Sequence, residues 1–251
     1  MSARARRLPD VPEHGVLDRT QRCGRDPGMG RFPSGFTANL RLRAGLVLWI
    51  VFAAQPVCAQ GHEPEDGEAW WAGLEDQGPG LHVLERDSTY RVSGFTYDDI
   101  YREMQRNGPG ADDIGVRLGM HYSQWRWSFR FTTRPGGRCG LRDATVLLRS
   151  RIVLPEWTNA STAPGQIARG WRPFLAALRR HEEGHRNRAK AQGVFLWQSL
   201  LGLEAADCDA LQTMVESTAD RVINEGREAQ VAYDRDTGHG LTQGAVWPPP
   251  R

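Results

Sequence analysis

Lysine is all but missing from this chain: Lys190 is the only one in 251 residues, and arginine carries the rest of the positive side-chain charge. We read that as a bias of composition rather than chemistry. Cysteine is scarce, at four residues. Long apolar runs are lacking as well. The stretch Ala44 to Ala54, AGLVLWIVFAA, is far too short to span a bilayer, and no later run is longer. There is no internal repeat. With 39% hydrophobic and 25% charged residues, the balance is globular and excludes collagen, coiled coil and wholesale disorder.

The short apolar run reads instead as a secretory signal. Arg41 and Arg43 precede it, and Val57-Cys58-Ala59 follows with small residues where a signal peptidase cuts. Cleavage is expected after Ala59, leaving Gln60 first. Residues 1–28 are rich in Arg, Pro and Gly with no apolar period, so translation is expected to start at Met29. Residues 1–59 hold nine Arg and four Asp or Glu, so the remainder has 23 basic against 26 acidic residues, net −3. That excludes a nucleic-acid binder, which needs a concentrated basic face. Once the signal is removed, no stable membrane anchor is left. The protein is expected to be secreted or periplasmic. Cys23 and Cys58 leave with the leader, and Cys139 with Cys208 forms an even pair in an oxidising compartment, so one disulfide is expected between them.

Residues 60–87 are rich in Gly, Glu, Asp and Pro and read as a linker with room for one early element. Ser88 to Phe95 alternates as a strand. Thr96 caps a helix running from Tyr97 to Arg106, and Asn107-Gly108-Pro109-Gly110 stops it. From His121 to Phe131 the alternation is strong: Trp125, Trp127, Phe129 and Phe131 share one face, opposite Gln124, Arg126, Ser128 and Arg130. Leu141 to Leu154 alternates again, with Thr145, Arg149 and Arg151 on the wet side, and Pro155 ends it. After Pro164-Gly165 the period becomes helical through Leu200. A break near Gly202 to Asp207 precedes a second helix from about Asp209 to Ala232. The expectation is an α+β domain over residues 88–247, with a small antiparallel sheet packed on an antiparallel helical hairpin and a Pro-rich tail at 248–251.

His181-Glu182-Glu183-Gly184-His185 is an H-E-x-x-H sequence on the first long helix. Residues four apart lie one turn apart on the same face, so both imidazoles can reach one Zn²⁺. Glu182 is offset by one residue, so its carboxylate flanks the metal and can take a proton from the attacking water. A catalytic zinc needs a third protein ligand. If the helices fold back on each other, the segment Tyr233 to Gly240 returns to the level of His181, and His239 becomes the first candidate. Glu225, with Glu228 near it, is the second, and Glu204, at the far tip of the hairpin, is the third. Asp234 or Asp236 could orient a ligating imidazole, and Tyr233 could donate to an oxyanion.

The chain resembles the bacterial family called domain of unknown function 922, associated with secreted zinc-dependent proteases. The resemblance rests on Tyr90-Arg91-Val92-Ser93-Gly94, Asn107-Gly108-Pro109, Trp125 and Trp127, Cys139, Val153-Leu154-Pro155, Trp157 and Trp171. It continues through the H-E-x-x-H segment, Cys208, Tyr233 to Gly240 and Gly244-Ala245. It implies a metallopeptidase-like domain. The expected activity is zinc-dependent hydrolysis of a peptide bond in a peptide or protein substrate. His181, His185 and His239 would bind zinc and Glu182 would be the general base. An amide hydrolase acting on cell-wall peptides, and a non-catalytic envelope module with structural zinc, are the alternatives.

Overall fold

A computed structural model describes residues 14–17, 77–112 and 115–250. The signal peptide and its cleavage point lie outside them. In chain order the elements are β1 (His14–Leu17), β2 (Gly80–Glu85), β3 (Ser88–Val92), α1 (Tyr97–Asn107), β4 (Ala111–Asp112), β5 (Gly115–Val116), β6 (Met120–Thr133), β7 (Cys139–Trp157), α2 (Gly165–Leu200), β8 (Glu204–Ala205) and α3 (Cys208–Thr237). Short 3-10 turns follow β6 and α3. Among the described residues, no helix is long and apolar enough to cross a membrane.

The fold is α+β, one main sheet with three helices. The expected antiparallel sheet is corrected to a mixed one. β6 and β7 form the antiparallel hairpin, β8 pairs antiparallel with one end of β7, and β1 with part of β6. β2 and β3, however, both run parallel to β7. β2 is the early element that the Gly- and acid-rich stretch had room for. β7 runs on through Pro155, where β3 is its partner; the pairing with β6 stops at Val153, so the imide nitrogen interrupts no ladder on that side.

Two apolar clusters hold the layers together. One packs Trp125, Trp127, Phe129, Val146 and Leu148 of the sheet against Ala189, Leu196 and Leu200 of α2 and Val215, Val222 and Ile223 of α3. The other joins Val92, Ile152, Leu154 and Trp157 to α1, to Trp171, Phe174 and Leu178 of α2, and to Trp247 of the tail. Between Leu178 and Ala189 the buried residues of α2 are His181, Glu182, His185 and Arg186. The helix thus turns a polar face inward at the waist between the two cores. The sheet answers in kind: Arg186 donates to the Ser150 hydroxyl, which also bonds His121 across the β6–β7 pair, and Arg186 is ion-paired with Asp87 and Glu85. The sheet's other face is less wet than its pattern implied, for Arg126 and Arg149 are buried there.

Cys139, at the start of β7, is bonded to Cys208, at the start of α3, with a Cα–Cα distance of 5.0 Å. The pairing expected from the cysteine count is therefore present. It closes a loop across a sequence separation of 69, for which chain entropy alone gives an upper bound of about 4 kcal/mol.

Candidate metal centre

α3 does not end near Ala232. Its helical turns continue to Thr237, where Gly238 closes them in the left-handed conformation and the His239 amide donates to the Asp234 carbonyl at 2.8 Å. The segment Tyr233 to Gly240 is therefore mostly helix. As a result Gln230, Tyr233, Asp234 and Thr237 recur at helical spacing on one face of α3, and that face meets His181 and His185.

The ring atoms converge. His181 Nε2 and His185 Nε2 are 3.3 Å apart, and Asp234 Oδ1 lies 3.2 Å from the first and 2.9 Å from the second. Donor atoms of these three residues fall within 4.8 Å of one another. Ligands at about 2.0–2.1 Å from a tetrahedral ion stand about 3.3 Å from each other, so the two imidazoles and the carboxylate match the donor set and spacing of a zinc site. The same nitrogen and oxygen donors would accept several other divalent ions. Burial alone would raise the Asp234 carboxyl, but the His181 and His185 rings against it, when they carry a second proton, outweigh it and hold the group well below the usual carboxylate range.

Glu182 is buried beside this group but is not part of it. Its carboxylate accepts the backbone N–H of His121 at the start of β6. Gly119 makes room for it: a Cβ there would stand 3.0 Å from Glu182 Oε1. Burial pushes the Glu182 carboxyl up to about 7, with Asp234 adding to the effect and His181 and Arg117 opposing it. A carboxyl poised near neutrality is suited to taking and returning a proton.

His239, the first candidate for third ligand, is not gathered into the cluster. Its Nδ1 is 3.6 Å from Asp234 Oδ1, and its side chain is 39% exposed at the solvent side of the site. Glu225 and Glu228 face solvent, and Glu225 pairs with Arg221. Glu204 sits by the disulfide, paired with Arg134 and Arg138. Asp236 is exposed and pairs with Arg235. Tyr233 is buried, stacked on His181 with ring centroids 5.1 Å apart and edge-on to His185 at 4.8 Å. Its hydroxyl donates to the His181 carbonyl at 3.3 Å. Sequence reasoning missed Gln230 and Gln243, whose amides reach the two Nδ1 atoms. Gln230 lies within the helix expected from Asp209 to Ala232, one turn before Asp234, and that spacing is the signal that points to it.

Two glycines permit the close packing. Gly240, at φ 85°, leaves space where a Cβ would stand 3.1 Å from the His181 ring. At Gly184 a Cβ would collide with the Tyr233 hydroxyl. Gly184→Ala is therefore expected to push α3 off α2, lowering stability by about 2 kcal/mol in urea unfolding and weakening zinc binding in parallel. An unchanged unfolding midpoint would show that the helices do not meet there.

The comparisons with known proteins bear on this geometry. A family model described as "Bacterial protein of unknown function (DUF922)" matches residues 87–240. The chain belongs to that family. The matched span runs from Asp87, the partner of Arg186, to Gly240 against His181, and so takes in His181, Glu182, His185 and Asp234. No curated protein and no solved structure matches this member of the family.

Proposed function

We propose that this protein is an exported zinc-dependent peptidase. The observation that carries the reading is the convergence of His181 Nε2, His185 Nε2 and Asp234 Oδ1 on one point, with the buried Glu182 carboxylate flanking it. It takes α2 and α3 as an antiparallel helical hairpin with H-E-x-x-H on its first arm. Contacts that pair Gln192 with Val222 and Ile223, and His185 with Gln230, support that arrangement. Zinc at such a site supplies a Lewis acid for the scissile carbonyl and lowers the pKa of water towards neutrality. Glu182 takes the proton from the attacking water and returns it to the leaving amine. Tyr233, stacked on His181 and edge-on to His185, keeps the two rings in place. The disulfide suits an oxidising compartment outside the cytoplasm.

The test is a panel of unfolded proteins and cell-wall peptides offered to the purified, zinc-loaded protein. Cleavage that a chelator abolishes and zinc restores is expected for at least one protein substrate. Cleavage confined to cell-wall peptides would narrow the reading to that amide hydrolase. A chain that holds one zinc and cleaves nothing would sink the enzyme reading and leave zinc as a structural element.

A further inference from the structure

We infer that Gln230 and Gln243 are positioning residues that hold both imidazoles as Nδ1–H tautomers, with the Nε2 lone pairs turned into the cluster. The inference deepens the metal-site reading above and rests on it for its consequence, though not for its geometry.

A neutral imidazole donates from one nitrogen and accepts at the other, and the surrounding hydrogen bonds decide which. At His185 the choice follows from Gln230. The Gln230 Nε2 lies 3.1 Å from the His185 carbonyl oxygen. A carbonyl can only accept, so that end of the amide is the NH₂. The other end, 2.6 Å from His185 Nδ1, is then the oxygen, and Nδ1 must carry the proton. At His181 the constraint passes through one more hydrogen bond. The Tyr233 hydroxyl donates to the His181 carbonyl, so it accepts from Gln243 Nε2 at 3.0 Å. Gln243 Oε1 is left facing His181 Nδ1 at 3.0 Å. Thr237 agrees: its hydroxyl donates to the Tyr233 carbonyl at 2.7 Å, so towards His181 Nδ1, at 3.5 Å, it too can only accept. Every neighbour of either Nδ1 named here is an acceptor; the competing acceptor at both Nε2 atoms is Asp234 Oδ1, one oxygen shared between two rings.

The consequence lies at the other nitrogens. With both protons fixed at Nδ1, two lone pairs and a carboxylate oxygen meet within 3.3 Å. Such a meeting repels itself unless a cation or added protons stand between. The orienting groups are also neutral. A carboxylate in place of either glutamine would make the ring more basic, whereas an amide fixes its direction and leaves Asp234 the one anion of the ligand set.

The measurement is two-bond ¹H–¹⁵N correlation of the histidine rings in the full, metal-free protein at pH 9, far above the ordinary imidazole range. It is paired with zinc affinity by chelator competition. Both rings should show Nδ1–H. In Gln243→Leu and Gln230→Leu the corresponding ring should populate the Nε2–H form, and zinc affinity should fall by about 10- to 100-fold. Gln243→Glu, whose carboxylate still accepts from Nδ1–H and from the Tyr233 hydroxyl, should keep the tautomer and bind zinc at least as tightly as wild type. It serves also if the leucine variants fail to fold. Nε2–H rings in the wild type would overturn the inference, as would leucine variants with unchanged tautomer and affinity. Rings of the inferred tautomer in a chain that binds no zinc would support it while the metal reading fails.

Discussion

Asp234→Asn is expected to lower zinc affinity by more than about a hundredfold, whereas His239→Ala should change it by no more than about tenfold. The contrast follows from which side chains the structure brings together. Asp234 Oδ1 is within 3.2 Å of both Nε2 atoms, and Asn keeps its size while removing the one negative charge of the gathered donors. Removing a direct ligand should exceed the 10- to 100-fold typical of a partner that only orients one. His239 meets Asp234 at 3.6 Å and stands outside the three-residue group. Its backbone closes the end of α3, which the alanine variant retains. Zinc stoichiometry after dialysis, followed by chelator competition, separates the two variants. Loss of zinc in His239→Ala to the level of His181→Ala would mean that the segment after α3 swings in, and would restore the three-histidine set expected from sequence.

How far the site could be read from sequence follows from what kind of signal each residue carries. His181, Glu182 and His185 are fixed by spacing within one helix, which is local and survives any packing. The same holds for Thr96, whose hydroxyl accepts the Asp99 amide at the start of α1 as its position before the helix implies. The cysteines were legible because only two remained to pair. From sequence Asp234 is a residue that could orient an imidazole; in the structure its carboxylate meets both Nε2 atoms. The run Tyr-Asp-Arg-Asp-Thr-Gly-His-Gly has the composition of a turn, and Asp commonly bonds its own backbone there. Here tertiary contacts extend the helix one turn further, because Tyr233 and Thr237 are buried against His181. Once Asp234 is on the helix it follows Gln230 by four residues, and both face the imidazoles. The parallel strands were out of reach for a different reason. Alternation tells which face of a strand is buried but not the direction of its neighbour, and β2 and β3 reach β7 along chain paths with no local signature.

Glu182→Gln separates what the carboxylate does for chemistry from what it does for the fold, and it is expected to move the two in opposite directions. Gln is nearly isosteric but cannot take a proton, so peptide hydrolysis should fall by about 10²- to 10⁴-fold with zinc still bound. Zinc is retained because Glu182 is not among the donors that converge. In the metal-free chain the same change should stabilise. Burial raises the Glu182 carboxyl from 4.5 to about 7. A group raised on folding favours the native state below its unfolded value and loses that contribution as pH climbs through the folded one. Above pH 7 the native chain therefore holds a poorly solvated carboxylate, at a cost of order 3 kcal/mol. Gln carries no charge at any pH, so the metal-free variant should melt roughly 6–12 °C above wild type at pH 8 and level with it near pH 4. Such a crossover would mark Glu182 as a residue kept at the expense of stability, as an active-site group is. A variant that cleaves peptide at the wild-type rate would remove Glu182 from the reaction. A variant that melts lower than wild type at pH 8 would instead show that the carboxylate is well solvated, and that the ionised form is the one the fold prefers.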